Sequence, residues 1–304
     1  MNPRKIALIG VFPVLLTAFG KAEAKLNVVA TTPDLASIAR AVGGDLIEVT
    51  AIARPAEDPH FVDARPSFIR LLNQADVLIE GGAQLEAGWL PPLVDSARNA
   101  HISVGAPGRI SASEGISLLE IPTVLDRSMG DVHPMGNPHY LLDPVNAKIA
   151  AATIKGGLCA ADHLNCTQYE EGLRRFTAAI DTKLPEWQET LRGVRGTKVV
   201  TYHKDFDYFA ARFGLVVVDT LEPKPGIPPS PTHLSELVPK MRSQGVRLIL
   251  AEPNRERQNP EFVAANTGAR IVLLPIMPGG KEAVDYIDLI DYDVTQISNA
   301  MKTT

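Results

Sequence analysis

Basic excess, cysteine and long apolar runs are scarce in this 304-residue chain. Thirty Lys and Arg face 35 Asp and Glu, a formal net charge of -5. That balance excludes nucleic acid as a partner, because a polyanion rewards a basic face. Beyond the first two dozen residues no apolar run reaches the ~18–20 residues that a membrane-spanning helix needs. There is no HExxH pattern of the kind that puts two zinc-binding histidines and a base on one helix, and no internal sequence repeat. Only two cysteines occur, Cys159 and Cys166. In an oxidising compartment such a pair closes a disulfide, worth about 2–3 kcal/mol for so short a loop. The rival is a soft metal site with His163, but two thiols and one imidazole within a few residues match no common zinc spacing.

What is present begins at the N-terminus. Arg4 and Lys5 precede a mostly apolar stretch, Ile6 to Phe19, interrupted by Gly10 and Pro13 and followed by Gly20. Ala22-Glu23-Ala24 then fits a small-x-small cleavage site, so residues 1–24 form a secretory signal peptide with Lys25 as the first mature residue. The rival is an uncleaved anchor, for which the stretch is short. These 24 residues carry a net +2 (Arg4, Lys5, Lys21 against Glu23); subtracting it from -5 leaves the mature part near -7. No cysteine near the cleavage site offers a lipid acceptor, so the expected location is the periplasm, free of an anchor.

Strand-like and helix-like segments alternate along the mature chain. Leu26 to Thr31, Ile47 to Ala53, Asp76 to Glu80 and His101 to Val104 have the short, apolar character of strands. Between them, Leu35 to Val42, Pro66 to Ala75 and Leu85 to Ala97 have helical spacing. Asn146 to Leu158 is a further helix. From Thr167, Tyr169, Leu173, Phe176, Ile180, Leu184, Trp187 and Leu191 recur at steps of three or four, giving a helix of about 35–40 Å at ~1.5 Å per residue. After Gly196 the alternation restarts with strands Lys198 to Tyr202, Leu215 to Thr220, Val246 to Ala251 and Ala269 to Leu274. A helix spans Phe206 to Phe213, and Thr232 is the expected cap of another. The expected fold is α/β: an N-terminal lobe (25–166) and a C-terminal lobe (196–304), each with a mainly parallel sheet flanked by helices, joined by one long helix (167–195).

Seven histidines are spread over this frame: His60, His101, His133, His139, His163, His203 and His233. His203 directly follows a strand and His60 lies in the loop after one. In open α/β sheets ligands bind outside the carboxyl ends of strands, so these two stand where each lobe presents a ligand. Neutral imidazole is a good zinc donor, and mixed oxygen sets suit manganese better. Any histidine at a strand end is otherwise an ordinary hydrogen-bonded surface residue, which is the expectation for His101, His163 and His233. His133, next to Met135 in a loop, is at most a transient metal contact.

Three segments carry a resemblance: EDPHF (Glu57 to Phe61), NPHYLLDP (Asn137 to Pro144) and TYHKDFDYFAARFGL (Thr201 to Leu215), with LAEP (Leu250 to Pro253) as a fourth. Together and in this order they resemble the zinc/manganese substrate-binding proteins of ABC importers, over essentially the whole mature chain. The resemblance implies two lobes on one rigid helix, with metal between them. It implies His60 and His139 as ligands from the first lobe and His203 from the second. Manganese-binding members tend to carry glutamate where His203 stands, so histidine favours Zn2+ as the bound substrate. The aspartate that many relatives place in the segment matching Leu273 to Met277 is missing. Glu252 is the preferred fourth ligand, with Glu57, Asp58 or a water as alternatives. The loop Ser128 to Gly136 is short where zinc-binding relatives often have a long His- and Asp-rich one.

The implied activity is capture and delivery to a membrane permease by a monomer that is not an enzyme, with a periplasmic metal donor protein as a further partner. The site's affinity is expected to fall as pH drops through the ordinary histidine pKa near ~6.5. Pro223 to Pro231 is a candidate lid by composition. The rival functions are a manganese carrier, a zinc hydrolase, which also uses three histidines and a water, and a surface adhesin on the same fold.

Overall fold

The computed structural model describes residues 24–122, 133–224 and 226–302. Apart from Ala24, the expected signal peptide lies outside the described residues, as do Ser128 to Asp131 and Val132 of the short loop and Pro225 of the proline-rich segment. Among the described residues, no helix is long and apolar enough to cross a membrane.

Two four-stranded sheets, each wholly parallel, carry the molecule. The first contains β1 (Leu26–Ala30), β2 (Ile47–Ala51), β3 (Val77–Glu80) and β4 (Arg109–Ser111) in the order β2-β1-β3-β4. The second contains β5 (Lys198–Thr201), β6 (Val216–Thr220), β7 (Leu248–Ala251) and β8 (Arg270–Leu273) in the equivalent order β6-β5-β7-β8. The inner strands are buried on both faces, as at Val28, Val29, Leu78, Ile249 and Leu250. That is the pattern of parallel strands covered by helices on either side. The covering helices are α1 (Pro33–Gly43), α2 (Pro66–Asn73), α3 (Leu90–Ala97) and α4 (Pro144–Ala161) around the first sheet, and α6 (Asp207–Phe213), α7 (Pro231–Gln244) and α8 (Gln258–Thr267) around the second. The two-lobe α/β fold expected from the alternation is the one observed.

The long helix is α5 (Cys166–Thr190). It buries Tyr169, Phe176, Ile180 and Trp187 of the expected apolar face, together with Gly172. At Gly172 a Cβ would fall 2.0 Å from the Val42 carbonyl oxygen, so only glycine lets α5 lie this close to α1. The disulfide Cys159–Cys166 joins the end of α4 to the start of α5, as the cysteine pair implied. The last helix, α9 (Tyr286–Lys302), packs on α5 and α1. On it, Asp291 accepts from Trp187 Nε1 at 2.6 Å and pairs with Lys183 at 2.9 Å. Tyr286 donates its backbone N–H to Ser37 Oγ and its hydroxyl to the Leu141 carbonyl. The C-terminal segment therefore closes the core of the first lobe.

Three local expectations are corrected. His101 to Val104 is not a strand: Ala100–Ile102 is a short 3-10 turn capped by Asn99, which accepts from the His101 N–H, and the fourth strand is Arg109–Ser111. Asn99 also donates to the Leu72 and Ala75 carbonyls, which fixes the turn. The helix expected from Leu85 starts at Leu90, with Pro91 and Pro92 in its first turn, where a missing N–H costs nothing. The cap of α7 is Ser230 rather than Thr232: its hydroxyl accepts from the His233 N–H, and Pro231 takes the first helical position.

Candidate metal centre

His60, His139 and His203 come together in the cleft between the lobes, each offering a ring nitrogen within 4.8 Å of the others. Three different devices deliver them. His203 stands two residues beyond β5 and is buried, so the strand end sets its position. His60 stands in the loop after β2. Asp58 Oδ1 accepts its backbone N–H at 3.0 Å, and Trp89 Nε1 donates to the neighbouring Pro59 carbonyl at 2.9 Å. His139 precedes the short turn Tyr140–Leu142, and the second lobe grips its segment. Asn137 donates to the Lys204 carbonyl at 2.8 Å, the Tyr208 hydroxyl donates to the Asn137 carbonyl at 2.7 Å, and Arg212 clasps Asp143 through two bonds of 2.7 Å.

The ring geometry leaves the Nε2 atoms facing inward. Glu222 Oε2 lies 2.7 Å from His203 Nδ1, and Asp205 Oδ1 lies 3.1 Å from His139 Nδ1. A carboxylate on one ring nitrogen fixes the tautomer, orients the ring and makes the other nitrogen a better donor to metal. His60 Nε2 and His139 Nε2 are 3.0 Å apart. Donors on a tetrahedral zinc, at ~2.0–2.1 Å each, stand roughly 3.3 Å apart, so these two rings need almost no movement to share an ion.

Burial, then the neighbouring His203, pushes the His60 pKa down to about 3, and burial with His60 close by holds His139 well below its ordinary value. Burial thus favours the neutral form of both rings, which leaves lone pairs available. Charging these rings would bury cations beside one another.

Glu252 stands elsewhere. It is 2 % exposed and does not belong to the group of converging ligand atoms. Burial, then the Asp205 carboxylate, holds its pKa well above the usual range, while burial raises Asp205 to about 6. Glu252 lies close to Asp205, which faces His139. Glu57 turns away to accept from the Arg54 N–H, and Asp58 Oδ2 is 2.9 Å from Arg255 Nη1. His133 stacks on His60 with ring centroids 4.9 Å apart. His101 lies away from the cleft at the turn after α3, and His233 bonds the Thr220 carbonyl. A cleft of about 330 Å³ opens beside the histidines, lined by His133, His139, His203, Lys204 and Glu222, with Pro223 and Lys224 of the proline-rich segment at its edge.

Asp205, Glu222 and Arg255 escaped the sequence reading, although signals existed. Asp205 is two residues past His203, and Glu222 follows the end of β6, the kind of strand-end position already used to select His203. Arg255 lies just past LAEP.

Residues 28–300 match the family model described as "Zinc-uptake complex component A periplasmic". The chain is 26% identical over 309 residues to a manganese ABC transporter substrate-binding lipoprotein, PsaA, of Streptococcus anginosus, covering 97% of both chains. It is 24% identical over 286 residues to an iron ABC transporter substrate-binding lipoprotein, MtsA, of Streptococcus pyogenes serotype M1, covering 91% of this chain and 89% of the relative. Among solved structures, the crystal structure of ZnuA superposes with a TM-score of 0.77 at 24% identity, covering 91% of this chain and 99% of that one. These relatives carry solutes rather than transform them, which removes the zinc-hydrolase alternative. The chain belongs to the zinc-uptake component A family and is the substrate-binding protein of an ABC importer for a divalent metal.

Proposed function

We propose that the metal is zinc, held by the Nε2 atoms of His60, His139 and His203. The carboxylates behind the imidazoles carry this reading: Glu222 is hydrogen-bonded to His203 Nδ1 and makes that ring a strong nitrogen donor, and Asp205 stands 3.1 Å from His139 Nδ1. An all-imidazole set favours zinc over manganese, which prefers oxygen. The fourth position goes to water, with Glu252 acting behind His139 through Asp205 rather than as a direct ligand. The lobes 25–166 and 196–304, joined by 167–195, hold the ion between them. The protein works as a monomer in the periplasm after cleavage near Ala24, receives zinc in part from a metal donor protein, and passes it to the membrane permease. Manganese is the second reading, supported by the PsaA relative, a manganese ABC transporter substrate-binding lipoprotein.

The test is a competition on metal-stripped protein. It should take up one zinc per chain at sub-micromolar strength, and zinc should bind at least 100-fold more tightly than manganese. Equal affinity for the two would sink the zinc assignment. Unchanged zinc binding in a His139→Ala/His203→Ala double variant would sink the site.

A further inference from the structure

Arg255 gathers carboxylates around the histidines. Its Nη1 lies 2.9 Å from Asp58 Oδ2 and 3.7 Å from Glu222 Oε1, and its Nε lies 3.5 Å from Glu252 Oε2. The guanidinium sits over the Tyr202 ring at 5.5 Å, which fixes its plane. Asp58 comes from the first lobe, and Glu222 and Glu252 from the second, so one side chain ties both. The same small gap, about 10 Å³, is walled by Asp58, Glu222 and Arg255 together with His60 and His203. Carboxylates therefore border directly on ligand-bearing rings, and each also has an oxygen within 4 Å of the guanidinium, Asp58 Oδ2 the nearest. Burial opposes the charge of Arg255, but Glu252, Asp205, Asp58 and Glu222 outweigh it and hold the group charged.

We propose that Arg255 is the specificity-determining residue of the centre: by binding Asp58 and placing its charge beside Glu222 and Glu252 it keeps their oxygens off the metal and leaves a nitrogen set that discriminates against manganese. The inference rests on the three-histidine site proposed above. The physics is a competition for the same oxygens. Hard cations take carboxylate ligands and zinc accepts imidazole alone. A guanidinium binds carboxylates through a planar fork and never gives up its proton, so a dication reaching for those oxygens has to displace a fixed positive charge. Without Arg255 the carboxylates lose their cation, and buried anions without a partner are costly enough to recruit another. The nearest candidate is an ion already held by His60 and His203. Arg255 itself touches no metal, so it acts as a positioning residue.

The experiment compares the full-length mature protein with Arg255→Met and Arg255→Lys. Manganese affinity is read from loss of the free-ion electron paramagnetic resonance signal, and zinc affinity from competition with a chromophoric chelator. Manganese affinity should rise at least tenfold in Arg255→Met, with a smaller change for zinc. Arg255→Lys, which keeps the charge without the fork, should fall between the parent and Arg255→Met. Adding Asp58→Asn to Arg255→Met should take back most of the gain. Unchanged manganese affinity, or equal losses for both metals, overturns the proposal. Where Arg255→Met does not fold, by circular dichroism, Arg255→Gln supplies the same comparison. A parent without zinc preference refutes the zinc assignment alone, because the inference is read from the change in manganese affinity.

Discussion

The two lobes have the same sheet, strand for strand, yet they place chemistry differently on it. In the second lobe the residues just past the strand ends face the site: His203 after β5, Glu222 after β6 and Glu252 after β7. In the first lobe the residues just past β1 are Thr31 and Thr32, and Thr31 donates to Glu86. That lobe's candidate ligands come instead from loops, His60 beyond β2 and His139 far along the chain. Each lobe buries a carboxyl near the end of its third strand. Glu86 receives the Thr31 hydroxyl at 2.6 Å and the Gly81 N–H at 2.7 Å, so it closes a loop. Glu252 faces Asp205 and Arg255, so it serves the cleft. A shared topology thus supplies platforms, and the few residues beyond each strand decide which platform is structural and which is functional.

The largest expected effect tests the strand-borne ligand. His203→Ala should weaken zinc binding roughly 100–1,000-fold, about a quarter of the free energy of a four-donor zinc site, measured by chelator competition. A change below tenfold would mean that the first lobe alone binds the ion.

Next comes the structural carboxyl. Burial raises Glu86 from 4.5 to about 7. The folded state therefore holds a proton that the unfolded chain gives up between those values, so the stability contributed by Glu86 is greatest below about 4.5 and falls as pH climbs to about 7. Glu86→Gln should remove that decline, a gain of about 3 kcal/mol at pH 8 with little change at pH 4.5. Melting curves across that range check it, and zinc affinity should stay unchanged. If affinity fell instead, the contrast between the lobes' two carboxyls would collapse.

Glu222→Gln keeps a group beside His203 Nδ1 but loses the charge, and zinc affinity should drop about 10–100-fold. A drop as large as that of His203→Ala would make Glu222 a ligand rather than a support. The smallest effect probes the loop-borne ligand. Trp89→Phe removes the bond to the Pro59 carbonyl, which should cost about 1 kcal/mol, near fivefold in zinc affinity. No change would show that the Asp58 bond alone sets the His60 loop.

Local signals carried most of the fold into the sequence. Apolar runs marked seven of the eight strands among the described residues, most clearly the inner ones, which are buried on both faces. The periodic face from Tyr169 to Trp187 marked α5, and two cysteines marked the disulfide. The fourth strand was missed because Arg109–Ser111 is three residues long, too short for any period. At the site, His60 and His203 were legible from their places beyond strands, whereas His139 stood out only through family resemblance. The supports were harder to see. Arg255 and Asp58 lie on different lobes, and a charged residue in a loop is ordinarily solvated. Burial turned them into a pair, and burial is not written in any window of sequence.

The clasp made by α9 bears on how the chain reaches its native state. Tyr286 bonds both Ser37 Oγ and the Leu141 carbonyl, so the first lobe is finished by residues very far along the chain. Contacts that span nearly the whole chain form late, because each must close a very long loop. The first lobe therefore keeps part of its core uncovered until α9 docks. A chain that has lost only its last helix would leave that lobe open, and the loop carrying His139, whose Leu141 carbonyl anchors Tyr286, would lose its backing before any change reached the metal ligands themselves.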